Sequence, residues 1–69
     1  MQIDGAMMER LLANRNLCLS VERHLSSGAT ISDVARAVRV SAALRGLRMN
    51  ANTAECFVFT VDEMNTPAH

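Results

Sequence analysis

TISDVARAVRVSAALRGL, residues Thr30 to Leu47, is the stretch on which the fold turns. Thr30-Ile-Ser-Asp33 has the form of a capping box: a hydroxyl at the N-cap and a carboxylate three residues on can satisfy each other's backbone N–H groups. Asp33 also sits where the helix dipole favours negative charge. Gly28, just upstream, stands where a preceding helix needs a left-handed C-terminal residue. One helix therefore ends near Ser27 and another starts near Ile31. Apolar residues Ile31, Val34, Ala35 and Val38 follow at helical spacing, with Arg36 and Arg39 off that face.

Beyond Val38 two readings compete. In the helical one, Val40-Ser41 interrupts and Ser41 caps a short second helix over Ala42 to Arg45. In the other, Val38, Val40, Ala42 and Leu44 alternate with Arg39, Ser41, Ala43 and Arg45. That is the period of a half-buried strand, running to about Met49 with Gly46 at a bulge. Both remain open at this point.

Upstream, Asp4 is placed to cap a helix over residues 6–27. Its seam is Met7, Leu11, Asn14, Cys18, Val21 and Leu25, broadened by Met8, Leu12 and Leu19. Ala13-Asn14-Arg15-Asn16 is the weakest part, where a kink would fall. Asn14 lies on the apolar seam, where it is either solvated or paired with its copy across a two-fold axis. Downstream, Met49–Glu55 reads as a loop. Cys56-Phe-Val-Phe-Thr-Val61 then reads as a strand within residues 55–61, with Phe57, Phe59 and Val61 alternating against Cys56, Val58 and Thr60. Residues 64–69 read as a tail. The fold class is mainly α with a short β element: a long N-terminal helix, a helix over 30–38, a short helix or strand over 41–48, and a C-terminal strand or hairpin.

Sixty-nine residues make one small domain, and 3 % aromatic content leaves its core to Leu, Val, Met, Ala and two Phe. A core of that size supplies only ~3–5 kcal/mol, which favours a homodimer or a bound partner. The expected dimer or partner interface is Met7, Leu11, Asn14, Cys18, Phe57 and Phe59. No apolar run approaches the ~20 residues of a membrane span, and no leader pattern opens the chain, so the expectation is a cytoplasmic protein without a membrane role. Cys18 and Cys56 form no CxxC pair, so they read as buried thiols; a disulfide is possible but not required. No metal site, cofactor or small-molecule substrate is expected. The three glycines are scattered, no nucleophile motif occurs, and His24 and His69 are the only histidines. A zinc set of Cys18, His24, Cys56 and His69 is conceivable but poorly spaced. An enzyme is not expected.

Net charge is zero, yet its distribution is uneven. From Val34 to Ala54 there are four arginines, Arg36, Arg39, Arg45 and Arg48, and no acid; beyond lie Glu55, Asp62 and Glu63. All seven basic residues are arginine, so each can grip phosphate, carboxylate or guanine with two hydrogen bonds.

Thr30, Ile31, Asp33, Val34, Ala35, Val38, Val40 and Ser41 resemble the start of a helix-turn-helix DNA-binding motif. The resemblance covers about a quarter of the chain. It departs where the usual turn glycine is Arg39, and where Leu44 and Leu47 fall one place early. It implies a small regulator, of the kind phages and mobile elements encode, that binds duplex DNA as a dimer. Arg36, Arg39, Ser41, Arg45 and Arg48 would then meet phosphates and base edges. The alternative is a non-enzymatic protein-interaction module that meets an acidic protein surface and inhibits a host complex, as anti-CRISPR proteins and antiactivators do.

Overall fold

Four side-chain caps set where the helices begin. The computed structural model describes residues 4–65, and within them the chain forms α1 (Gly5–Ala13), α2 (Arg15–Ser26), α3 (Ile31–Leu44) and α4 (Ala51–Asn65). Asp4 Oδ1 accepts from Met7 N at 3.0 Å, Asn14 Oδ1 from Leu17 N at 3.1 Å, Thr30 Oγ1 from Asp33 N at 3.1 Å and Asn50 Oδ1 from Thr53 N at 2.7 Å. Each acceptor satisfies an N–H that the first helical turn leaves without a partner, a stabilisation of about 1 kcal/mol apiece.

The helices stop by an equally local device. Gly28 (φ 99°) and Gly46 (φ 80°) are left-handed. After α2, Gly28 N donates to Leu25 O at 3.1 Å and Ala29 N to His24 O at 3.2 Å; after α3, Gly46 N donates to Ala43 O at 3.0 Å and Leu47 N to Ala42 O at 2.9 Å. Both are Schellman caps, which use glycine because a Cβ is strained at that φ.

Three sequence expectations are corrected here. The helix over 6–27 is two helices. Asn14 takes an extended backbone (φ −85°, ψ 95°), closing α1 through its N–H to Leu11 O and opening α2 through its side chain. It breaks the seam and is not a polar residue within it. The centre, expected as a helix over 30–38 and a short helix or strand over 41–48, is one helix to Leu44 followed by a loop. Val40-Ser41 does not interrupt it because Ala42 continues the buried stripe of Val34, Ala35 and Val38. No turn forms at Arg39, and no described non-glycine residue has positive φ. Gly46 therefore caps a helix, and is neither inside one nor at a bulge.

The third correction is the largest: the C-terminal strand or hairpin is absent, and no described residue is in a strand. Residues 51–65 are helical. Ala54, Phe57, Val58 and Val61 fall at i, i+3, i+4 and i+7 and are at most 1 % exposed, whereas Phe59, which strand alternation pairs with Phe57, points outward at 51 % exposure. The β preference of Phe, Val and Thr is a weak bias that burial on three sides overrides. Thr60 fits the helix by donating its hydroxyl to Cys56 O at 2.7 Å. Of the expected tail, Met64 and Asn65 belong to α4; residues 66–69 lie outside the described residues.

α4 is the centre of the molecule and touches each of the other three helices. Its Phe57, Val58 and Val61 meet Leu11 from α1, Val21 from α2, and Val34, Ala35 and Val38 from α3 in one core. Thr53 is fully buried on α4, and its Oγ1 accepts from Asp4 N at 3.3 Å, tying the start of α1 to the start of α4. Among the described residues no buried side-chain nitrogen or oxygen lacks a hydrogen-bond partner.

Candidate functional site

Burying Val34, Ala35, Val38 and Ala42 turns the opposite side of α3 outward. That side carries Arg36, Arg39, Val40, Ala43 and Leu44, all exposed, with Val40 at 57 % and Leu44 at 84 %. The Schellman cap at Gly46 then reverses the chain, and Leu47, Arg48 and Met49 run back beside α3. Met49 anchors this return by packing against the core. Between helix and loop lies an open groove of about 420 Å³, lined by the apolar Val40, Ala43, Leu47 and Met49 and by Arg36, Arg39 and Arg48. Its lining is apolar and cationic together.

A second, smaller groove of about 160 Å³ joins this side of α3 to α4, between Ser32, Arg36 and Arg39 on one bank and Ala51 and Glu55 on the other. Ser32 Oγ donates to Glu55 Oε1 at 3.3 Å across it. One turn and two turns beyond Glu55, Phe59 and Glu63 are also exposed. α3 and α4 run antiparallel here, so from this contact Val40 and Leu44 lie toward one end of the helix pair and Phe59 and Glu63 toward the other.

A third depression, about 190 Å³, lies between α2 and α3 and is lined by Leu17, Ser20, His24, Ala37 and Ser41 among others. His24 holds its Nδ1 2.7 Å from Ser20 O, so that nitrogen carries the proton.

The structure brings together three of the five residues expected to contact nucleic acid. Arg36, Arg39 and Arg48 share the large groove. Arg45 is exposed at the C-cap of α3 but does not line the groove, and Ser41 is half-buried and faces the α2–α3 depression instead. Of the expected interface residues, Leu11 and Phe57 are buried in the chain's own core, Met7 and Cys18 pack against it half-buried, and Asn14 is the α2 cap. Only Phe59 faces outward. The groove's apolar lining was not legible: Val40 and Leu47 are visible as apolar, but only the glycine cap brings them together.

Cys18 and Cys56 are free thiols, both half-buried. Cys18 Sγ points at Leu11 O (3.8 Å) and Leu12 O (3.7 Å) across the α1–α2 break. Burial pushes its thiol up from the ordinary cysteine range, and nearby Glu22 pushes it further the same way. Among the described residues no three of His, Cys, Asp or Glu are grouped to hold a metal ion; His69 lies outside them. No described helix is long and apolar enough to cross a membrane. No protein-family description matches the chain, and neither a curated protein nor a solved structure matches it.

Proposed function

We propose that the protein is a small non-enzymatic interaction module whose α3 face docks an acidic, amphipathic protein segment. The observation that carries this reading is the groove that Arg36, Arg39 and Arg48 line together with Val40, Ala43, Leu47 and Met49. An amphipathic helix laid there buries apolar side chains against the apolar lining, while its flanking carboxylates meet guanidinium groups that can bind them with two hydrogen bonds. Leu44 at 84 % exposure extends the apolar surface beyond the groove, which suits a protein partner better than a phosphate backbone. The unbridged cysteines fit a reducing compartment, and we place the protein in the cytoplasm.

Duplex DNA is the second reading, favoured by one observation: α2 and α3 are joined by a short turn at Gly28, and α3 exposes Arg36 and Arg39. Against it stand the zero net charge and Glu55 beside those arginines. Anisotropy titrations with a fluorescein-labelled amphipathic Leu/Glu helix and with a labelled random duplex separate the two. The first reading expects peptide binding that survives moderate salt and is lost in Val40→Asp and in Arg36→Glu/Arg39→Glu. Tight duplex binding that falls steeply with salt, without peptide binding, would overturn it.

A further inference from the structure

We propose that the α3 groove docks on α4 of a second copy of the same chain, forming a weak two-fold dimer. This rests on the reading of the groove as a protein-docking face and names its occupant. The argument is complementarity within one surface. On α3, Arg36, Val40 and Leu44 stand at spacing four; on α4, Glu55, Phe59 and Glu63 stand at the same spacing, and all six are exposed. Each stripe runs ~12 Å along its helix. One is basic and apolar, the other acidic and aromatic. The hydrogen bond from Ser32 to Glu55 shows that the two helices meet on this side of the molecule.

The two stripes run in opposite directions from that contact, so a two-fold axis crossing between them lays each over its complement, which is the self-complementary patch an isologous dimer requires. Phe59 of each copy then enters the groove of the other; at about 420 Å³ it has room for an aromatic ring. Glu55 and Glu63, one turn to either side, meet the groove's arginines. The size of the contact sets its strength. Two stripes ~12 Å long and ~10 Å wide give a footprint of roughly 240 Å² on each partner. That is well under the ~800 Å² per partner of a standard stable interface, so the dimer is of the weak, exchanging kind.

Sedimentation equilibrium over a wide concentration series tests this, with circular dichroism checking each variant's fold. The mass should rise with concentration from 7.5 kDa toward twice that value. Arg36→Glu/Arg39→Glu makes both stripes acidic, and Glu55→Arg/Glu63→Arg makes both basic. Each variant alone should stay monomeric, and an equimolar mixture should recover the dimer. Phe59→Ala, an exposed position, should abolish association and leave the fold intact. A wild-type mass fixed at 7.5 kDa, or reversed variants that dimerise as well as wild type, overturns the proposal. A monomeric chain that still binds the Leu/Glu peptide would remove the dimer and keep the docking face. A monomer that binds no peptide would remove both.

Discussion

Phe57 and Phe59 stand two residues apart, and their contrast tests the architecture directly. On a strand they share one face; on a helix they are about 200° apart. In the structure Phe57 is 0 % exposed at the centre of α4 and Phe59 is 51 % exposed. Truncating a buried Phe to Ala costs ~3–5 kcal/mol through lost transfer energy and the cavity left behind. A 69-residue domain at ~0.05–0.15 kcal/mol per residue has about 3–10 kcal/mol in all. Phe57→Ala should therefore remove a third or more of the stability and leave the chain partly or wholly unfolded. Phe59→Ala should stay within about 0.5 kcal/mol of wild type, measured at concentrations where the chain is monomeric. The assay is urea unfolding followed by helical circular dichroism. With a slope near ~1 kcal/mol/M, the Phe57 variant's midpoint should drop by about 3 M or its folded baseline should vanish. Equal losses in the two variants would refute the helical placement of residues 51–65.

Three further outcomes follow from the local structure. Gly46→Ala should destabilise the fold by ~1–2 kcal/mol in chemical denaturation, because φ is 80° there; a new Cβ would meet nothing within 4 Å, so the cost is backbone strain alone, and Gly46→Asn should lose less. Asn14→Ala and Asn50→Ala should each cost about 1 kcal/mol, by loss of the bonds to Leu17 N and Thr53 N; an unchanged melt would refute the capping role. Stability should fall as pH rises above the ordinary thiol range of about 8.5. Cys18 has a raised pKa in the folded chain, so the fold prefers the protonated thiol, and its contribution is complete below the unfolded pKa and is lost as pH rises through the folded one. Cys18→Ala should flatten that decline in urea midpoints measured from neutral to alkaline pH.

The local punctuation was largely legible in the sequence. Asp4, Thr30 and Gly28 mark helix ends by chemistry that needs no tertiary context: Asp4 and Thr30 accept at their N-caps and Gly28 is left-handed after α2. Asn14 and Asn50 were harder, because Asn suits a loop, a buried pair or a cap equally well. Gly46 belongs to the same difficulty. In a strand it reads as a bulge, yet one residue past Arg45 it is the stop signal of a helix. The error over residues 55–61 has a different cause. Phe57 and Val61 satisfy both the two-residue and the 3.6-residue period, so Ala54 and Val58 had to decide. Ala54 falls within MNANTAE, which reads as a loop, and that hides the four-residue stripe. The candidate site was half legible. The acid-free run of arginines is plain in the sequence, but which of them converge depends on the chain reversing at Gly46. That reversal brings Arg48 back toward Arg36 and leaves Arg45 outside.

The most direct test of the docking face is an NMR titration of the labelled protein with the amphipathic Leu/Glu peptide at moderate salt. The account predicts amide shifts concentrated at Arg36, Arg39, Val40, Ala43 and Leu47–Met49, with the α1–α2 surface unmoved. Shifts scattered over the molecule or centred on the α2–α3 depression at His24 and Ser41, or no shifts at all, would contradict it.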